Sequence, residues 1–230
     1  MVGHKITIEG PDGGFAAYLA APPAGRGAGI VVIQEIFGIN APMRAAADEL
    51  AASGFVALVP DLFWRLEPGV ELTDQSDADW SRAFDLMRRF DVELGVKDIQ
   101  TAISHLRTLG SGKVGAVGYC LGGFLAYLTA ARTDSDATVG YYGVNIQTRL
   151  GEAARIKNPL MLHIAGKDEY VPPPAQEDIV STMATYPLVT IHRYAQMNHA
   201  FARAGGKHYD EANAGLANSR TATFFRQHLR

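Results

Sequence analysis

One cysteine stands where a strand-like segment gives way to a helical one. Val114–Val117 has the pattern of a short strand and Leu121–Arg132 that of a helix, with Cys120 between them in Gly-Tyr-Cys-Leu-Gly-Gly. The form G-x-C-x-G is the cysteine version of the nucleophile elbow, a strained turn that lifts the central side chain clear of the sheet. The N–H groups at the start of the helix would stabilise a thiolate. A lone cysteine is more often a buried structural residue, but this context favours a nucleophile.

Two further residues stand where parallel strands would end. Asp168 follows the strand-like segment Leu160–Ile164, and His199 follows the last such segment, Leu188–Tyr194. Nucleophile elbows take their partners in the order nucleophile, acid, histidine, and parallel strands bring their carboxyl ends to one edge of a sheet. We therefore expect Asp168 to orient His199, and His199 to act as base and acid for Cys120.

Each partner has an ordinary alternative. An aspartate in a polar turn is commonly a turn residue, and the adjacent Glu169 is a rival for its role. His199 could be a loop histidine, but it alone lies in the loop directly after the last strand, where the order of partners requires a histidine. The other histidines are His4, His105, His163, His192, His208 and His228, of which the two within strands, His163 and His192, look structural. None forms H-E-x-x-H, so we expect no metal site and no cofactor.

An elbow also needs N–H donors for the oxygen that becomes negatively charged when a carbonyl is attacked. We expect the backbone N–H groups of Leu121 and of Ile36, in the loop Gln34–Gly38, to serve as these donors. Glu35 ends an otherwise apolar strand, where a lone carboxylate would be costly. It is either a surface residue at a strand end or a partner of the thiol or of an arginine, for which Arg203 is available.

Strands and helices alternate along most of the chain, which predicts an α/β fold whose mostly parallel sheet is covered on both faces. Gly29–Glu35 is a nearly continuous apolar run, as in a strand buried on both faces, and Asn40 can cap the following helix. Asp79–Leu109 has the pattern of a helix broken near Gly95, and residues 62–78 form an irregular connection, a candidate lid or pocket wall. The remaining predicted strands are His4–Glu9, Phe15–Ala20, Phe55–Val59 and Val139–Tyr142, and the remaining predicted helices are Ala175–Tyr186 and a segment after His208.

Length and composition limit the class of protein. The chain has 230 residues, 47% of them hydrophobic, and we expect one domain over residues 1–230. Lys and Arg (21) nearly balance Asp and Glu (24), which argues against a nucleic-acid partner. No apolar stretch approaches the roughly 18 residues of a membrane span, and no signal segment precedes the first strand. We expect a cytoplasmic enzyme with a small-molecule substrate and no membrane partner.

These motifs together resemble the dienelactone hydrolase family, the carboxymethylenebutenolidases. The resemblance rests on Gln-Glu-Ile-Phe-Gly at 34–38, the elbow at 118–123, Gly-Tyr-Tyr-Gly at 140–143, Asp168 before Val171-Pro172, and His199 with Phe-Ala-Arg at 201–203. It implies a compact α/β-hydrolase fold with an eight-stranded sheet, helices on both faces and little or no cap domain. It also implies a triad of Cys120, His199 and Asp168, with the resting thiol held by Glu35 until substrate draws that glutamate towards Arg203. The implied reaction is the opening of dienelactone to maleylacetate in catechol or chlorocatechol breakdown.

One position departs from the family pattern. The better-known members carry a second arginine for the substrate carboxylate at the start of the long helical segment, where this chain has Trp80. Arg82 lies two residues further on, about 200° around a helix. An aromatic residue at this position favours a bulkier or less charged substrate. The substrate-binding residues that we expect are Arg203, Trp80, Arg82 and Phe37.

Three functions fit these observations. The first is a cysteine-dependent hydrolase of dienelactone or a related lactone. The second is a broader carboxylesterase acting on neutral or aryl esters, which Trp80 favours. The third is a non-catalytic binding protein on a hydrolase scaffold, against which the complete set of partners counts. In each case we expect a monomer or a small homo-oligomer.

Overall fold

Eight strands form one sheet. A computed structural model of the chain describes residues 2–230. The strands are β1 His4–Gly10, β2 Gly13–Ala20, β3 Gly29–Ile33, β4 Val56–Pro60, β5 Val114–Tyr119, β6 Ala137–Tyr141, β7 Leu160–Ala165 and β8 Val189–Tyr194. In the sheet they lie in the order β1-β2-β4-β3-β5-β6-β7-β8. On its way from β4 to β5 the chain crosses back over β3, so β3 and β5 lie side by side in the middle of the sheet.

The sheet is mostly parallel. β1 pairs antiparallel with β2, and β2 pairs antiparallel with β4. All other neighbouring strands are parallel. Every residue of β3, β4 and β6 is buried, because helices cover both faces and leave no polar side to these strands. The predicted α/β fold and its eight-stranded sheet are confirmed.

The helices pack on both faces of this sheet. They are α1 Ala41–Ala52, α2 Asp77–Arg89, α3 Val92–Thr108, α4 Leu121–Arg132, α5 Pro173–Met183 and α6 Glu211–His228, with a kinked 3₁₀ segment at Ile146–Arg155. A Cβ on Gly29 would meet Leu106 of α3, and Gly29 pairs with Val114 of β5. A Cβ on the next residue, Gly115, would meet Phe225 of α6. Because successive strand residues point to opposite faces, α3 and α6 cover opposite sides. Within residues 2–230, no helix is both long and apolar enough to span a bilayer.

The long helical region after β4 breaks at Phe90 and Asp91, so the prediction of a break near Gly95 is wrong. Phe90 has an extended ψ of 125°, and the carboxylate of Asp91 accepts hydrogen bonds from the N–H groups of Glu93 and Leu94. The break therefore occurs where a side chain can cap a new helix. Gly95 lies inside α3, where a Cβ would overlap the ring of Phe90, so its small size serves packing.

Several other elements also differ from the sequence prediction. β3 ends at Ile33, before Glu35, where its pairing with β5 also ends. The helix predicted at Ala175–Tyr186 is Pro173–Met183, because proline is well tolerated in a first helical turn. The segment Ile146–Arg155 was not predicted as helical, and it carries a non-helical residue at Arg149 that interrupts any regular period.

Residues 62–78 form a wall that is hydrogen-bonded to the neighbouring loop. The N–H of Leu72 donates to the carbonyl of Phe37 at 2.9 Å. Gly38 has a φ of +76°, and a Cβ there would overlap the carbonyl oxygen of Val70. Only glycine combines this conformation with so close a backbone contact. Of the two predicted roles for this connection, the contacts support the pocket wall.

Candidate active site

Cys120 occupies a strained turn between β5 and α4. Its φ of 57° and ψ of −114° lie outside the regions that side-chain-bearing residues usually adopt. A Cβ on Gly118 would overlap the carbonyl oxygen of Gly122, and one on Gly122 would overlap that of Ile33. The glycines are therefore required by the close approach of strand and helix, as the elbow motif predicts. Cys120 is 7% exposed and lines a cavity.

His199 and Asp168 meet at the same edge of the sheet. His199 Nδ1 lies 2.8 Å from Asp168 Oδ2, and both side chains are buried. Asp168 Oδ1 accepts a hydrogen bond from the N–H of Tyr170 at 2.9 Å, which fixes the carboxylate. The rival Glu169 is exposed, and Asp168 is the carboxylate that contacts His199. His199 Nε2 is buried and has no hydrogen-bond partner among residues 2–230, and His199 lines the same cavity as Cys120.

The electrostatics of this pair favour a charged imidazole. Burial alone would lower the pKa of His199, but the charge of Cys120 and the hydrogen bond and charge of Asp168 raise it from 6.5 to about 10. A buried imidazolium next to a carboxylate is an ion pair in a region of low dielectric. The arrangement can therefore accept and keep a proton from a group bound beside Nε2.

The two residues predicted to supply backbone N–H donors lie next to Cys120. Leu121 is the first residue of α4, so its N–H has no partner within the helix. Ile36 lies on the loop after β3 and lines the cavity together with Cys120. β3 and β5 are adjacent, with Ile33 opposite Gly118, so the loop after β3 runs next to the elbow. The loop that carries Ile36 therefore lies next to the turn that carries Leu121.

Glu35 pairs with Arg203, and the arginine has a second carboxylate partner. Arg203 Nε donates to Glu35 Oε2 at 2.7 Å and Nη2 donates to Oε1 at 3.2 Å. Arg203 Nη1 donates to Asp74 Oδ2 at 2.8 Å. Glu35 is 1% exposed, which excludes the surface alternative. Burial tends to lower the pKa of Arg203, but the charge and hydrogen bond of Glu35 raise it above its usual value.

The cavity above Cys120 has a volume of about 130 Å³ and largely aromatic walls. The ring of Trp80 stacks on Phe84 at 5.5 Å and meets Phe37 edge-on at 5.0 Å. Two of the residues that we expect to bind substrate, Trp80 and Phe37, therefore line this cavity. The residues that line this cavity are Ile36, Phe37, Trp80, Phe84, Met87, Cys120, Val144, Asn145, Tyr170, His199 and Arg203.

Arg82 is a correction to the expected substrate-binding set. Its side chain is 53% exposed and forms an ion pair with Glu67, and Arg82 does not line the cavity. The reason is helical geometry: two residues beyond Trp80, a side chain points to nearly the opposite side of α2. The second arginine of the better-known family members therefore has no counterpart here in Arg82.

Sequence reasoning missed Asp74, Tyr170 and Asn145. Asp74 lies in the irregular wall, whose residues carry no periodic pattern, and Tyr170 and Asn145 lie on loops. One physical signal connects several of these loops. All non-glycine residues with positive φ among residues 2–230 lie at or beside the site: Cys120, Tyr142, Asn145 and Ala200. Such strain clusters at functional sites, but it becomes visible only in the folded backbone.

Volume does not identify the site. A larger groove of about 470 Å³ lies between β8 and α6 and contains none of the predicted site residues. Within residues 2–230, no three His, Cys, Asp or Glu side chains are grouped so that they could hold a metal ion.

A doubly covered parallel sheet, with a strained elbow after its central strand and a histidine and an acid after later strands, defines an α/β hydrolase. Comparison with known proteins gives the family. The family model described as the dienelactone hydrolase family matches residues 15–229. The chain belongs to the dienelactone hydrolase family and is a carboxymethylenebutenolidase-like hydrolase.

Relatives and solved structures agree with this assignment. A protein of Azospirillum brasilense, provisionally named carboxymethylenebutenolidase, is 48% identical over 224 residues, 96% of each chain. The carboxymethylenebutenolidase of Pseudomonas putida is 39% identical over 227 residues, 97% of this chain and 96% of its own. A crystal structure from Klebsiella pneumoniae, provisionally titled a dienelactone hydrolase, superposes with a TM-score of 0.86 at 23% identity and covers 98% of both chains. The last comparison supports the fold.

Proposed function

We propose that this protein hydrolyses a lactone or ester through a triad of Cys120, His199 and Asp168. The observation that carries the proposal is the unpartnered Nε2 of His199 beside the strained Cys120, while Nδ1 is held by Asp168 at 2.8 Å. A buried polar nitrogen without a partner is rare, and a site that receives a proton during turnover explains it. This geometry supports the role that we propose for each residue.

In the proposed reaction, the thiol proton of Cys120 moves to His199 Nε2 and the thiolate attacks the carbonyl carbon. The oxygen of the tetrahedral intermediate accepts hydrogen bonds from the N–H groups of Leu121 and Ile36. The C–O bond then breaks, and His199 returns the proton to the departing alkoxide. Water attacks the resulting thioester and gives a proton to His199, the C–S bond breaks, and the thiolate recovers that proton. The net change is the addition of one water to the ester bond.

We further propose that Glu35 controls when the thiolate forms. The Glu35–Arg203 pair lies beside the cavity. A buried carboxylate close to Cys120 disfavours a negative charge on the sulfur, because the two negative charges repel each other. Held by Arg203, the carboxylate is kept from the thiol. The resemblance to the family implies the other state, in which Glu35 binds the resting thiol.

For the substrate, the first candidate is dienelactone, which the description of the family and the names of the relatives support. The family resemblance implies that it is opened to maleylacetate in catechol or chlorocatechol breakdown. The second candidate is a neutral or aryl ester, which one observation favours. Trp80, Phe84 and Phe37 form an aromatic wall where the family pattern has a second arginine. We also propose the cytoplasm as the location, a monomer or small homo-oligomer as the state, and no nucleic-acid or membrane partner.

Steady-state hydrolysis of cis-dienelactone, trans-dienelactone and p-nitrophenyl acetate by wild type, Cys120→Ala and Cys120→Ser tests the proposal. We expect turnover by wild type, none above the uncatalysed rate by the alanine variant, and little by serine, whose hydroxyl depends much more on its base. Circular dichroism of the three proteins checks the fold. Full activity of Cys120→Ala would refute the nucleophile, and absence of wild-type turnover on all three esters would favour the binding-protein alternative.

A further inference from the structure

Asp74 connects the irregular wall to the Glu35–Arg203 pair. Its carboxylate accepts a hydrogen bond from Arg203 Nη1 at 2.8 Å, and its side chain is 12% exposed. Its backbone carbonyl accepts a hydrogen bond from Trp80 Nε1 at 3.1 Å. One residue therefore holds both the arginine and the aromatic ring of the site. It lines a second cavity of about 230 Å³ that shares Trp80, Tyr170, His199 and Arg203 with the first.

The hydrogen bonds of Arg203 leave no complete edge of its guanidinium free. A guanidinium binds a carboxylate best through two parallel N–H donors, either Nε with one terminal nitrogen or the two terminal nitrogens. Glu35 takes the first edge through Nε and Nη2. Asp74 takes Nη1, half of the second edge. A substrate carboxylate would therefore have to displace Asp74 before it could bind Arg203 through two donors.

The charges around Arg203 also oppose an anionic substrate. Two carboxylates, Glu35 and Asp74, face one guanidinium, so this buried cluster has an excess of one negative charge. Arg203 is the only Lys or Arg that lines the cavity of Cys120 among residues 2–230. Lys207 lines only the adjoining cavity, and it is exposed. Polar groups on the other walls are confined to Cys120 and His199, which the reaction itself uses, and to Asn145 and Tyr170. The remaining lining is aromatic or aliphatic and offers an incoming carboxylate little to replace its hydration.

We propose that Asp74 is a specificity-determining residue that selects esters and lactones with an uncharged acyl group over those that carry a carboxylate. It does so by occupying Arg203 and by placing a second negative charge beside the site. The inference rests on the proposed hydrolysis and favours the second candidate substrate, a neutral or aryl ester, over dienelactone, whose carboxylate Asp74 would oppose. It differs from the effect of Trp80, because Asp74 acts through charge and Trp80 through the shape of the wall.

The test compares two substrates that share one leaving group. Mono-p-nitrophenyl succinate has a free carboxylate, and methyl p-nitrophenyl succinate is its uncharged ester. We expect wild type to prefer the methyl ester. Asp74→Asn keeps the size and an acceptor oxygen but loses the charge, so the ratio of kcat/KM for the anion to that for the neutral ester should rise roughly 10-fold, mainly through a lower KM for the anion. Asp74→Glu should keep the wild-type ratio. Asp77→Asn, an exposed change on the same segment, is the matched control and should leave the ratio unchanged.

An unchanged ratio in Asp74→Asn would overturn the proposal, and so would an equal loss on both substrates, which would mean that Asp74 only supports Arg203. A binding measurement separates this result from failure of the proposed function. Calorimetric titration of Cys120→Ala, with and without Asp74→Asn, uses phenylacetate and phenylacetamide as ligands that need no turnover. Tighter binding of phenylacetate but not of the amide after Asp74→Asn would support the role of Asp74 even if wild type hydrolysed neither ester. No change in either affinity would contradict it.

Discussion

Two buried histidines near the carboxyl ends of adjacent strands have similar local contacts and opposite electrostatic settings. His163 Nδ1 lies 2.8 Å from Tyr194 Oη, and its Nε2 lies 3.0 Å from Thr221 Oγ1. His199 Nδ1 lies 2.8 Å from Asp168 Oδ2, but its Nε2 has no partner among residues 2–230. One ring is fully satisfied by neutral hydroxyls. The other is held by a charge on one side and open to the cavity on the other.

The pKa values follow this difference. Burial, with the charges of His192 and Arg220, lowers the pKa of His163 well below 6.5. At His199 burial acts in the same direction, but the charges of Cys120 and Asp168 outweigh it and raise the pKa. Burial alone therefore does not make a histidine functional. A neighbouring carboxylate and an unused ring nitrogen distinguish the proton carrier from the structural residue.

The largest expected effect is on catalytic activity, and it should distinguish His199 from His163. His199→Ala removes the proposed base and acid, so it should lower kcat by about 10² to 10⁴. His163→Leu, the matched change at the satisfied histidine, should leave kcat largely unchanged. Stopped-flow and steady-state hydrolysis of p-nitrophenyl acetate measure both. A similar loss of kcat in the two variants would show that the comparison reports damage to the fold.

The next largest effect is on the stability of the folded protein, and it concerns His163. His163→Leu removes one hydrogen-bond partner each from Tyr194 Oη and Thr221 Oγ1. Arg220 Nη1 still donates to Tyr194 Oη, and Tyr141 Oη still contacts Thr221 Oγ1. A hydrogen bond contributes about 0.5–1.5 kcal/mol, so the loss of two should lower the free energy of unfolding by about 1–3 kcal/mol. Urea denaturation at pH 7 followed by circular dichroism provides the measurement. An equally stable His163→Leu variant would mean that this network contributes no net stability.

Acid should expose the neutral state of His163. Because its folded pKa is lowered, the unfolded chain binds the proton more readily once the pH falls below 6.5. The free energy of unfolding of wild type should then fall by up to about 1.4 kcal/mol per pH unit relative to His163→Leu. Urea titrations at pH 7, 6 and 5 compare the two proteins. Parallel pH profiles would contradict a neutral His163.

Alkali should expose the charged state of His199, with the opposite sign. Its pKa is raised to about 10, so the stability it contributes is complete below pH 6.5 and is lost as the pH rises through about 10. Cys120 and Asp168 both stabilise the imidazolium, and Asp168→Asn weakens the second of these interactions, so its deficit in unfolding free energy should be largest near pH 6.5 and shrink towards pH 10. Urea titrations across this range test it. A deficit that grows above pH 9 would be incompatible with this sign.

Local patterns were sufficient for much of the fold. The apolar run at Gly29 indicated a doubly buried strand, Asn40 caps α1 as predicted, and the glycines around Cys120 are required by the contacts that the elbow motif implies. Prediction failed where competing local signals were close together. The pattern predicts Gly95 as the helix breaker, whereas Asp91 provides the cap that divides the two helices.

The candidate site likewise has features that the sequence determines and features that only the folded chain determines. Residue types, the order of Cys120, Asp168 and His199, and the strands that precede them are properties of the sequence, because they follow from periodicity and from the glycines of one turn. The contact of Arg203 with Glu35 joins residues 168 positions apart, and its contact with Asp74 joins residues 129 positions apart. Nothing periodic predicts which loop residues meet after crossovers of that length. Tertiary structure alone decided that Arg203 faces two carboxylates, and that the neighbours of His163 favour its neutral form while those of His199 favour its charged form, since each depends on the surroundings that the folded chain assembles.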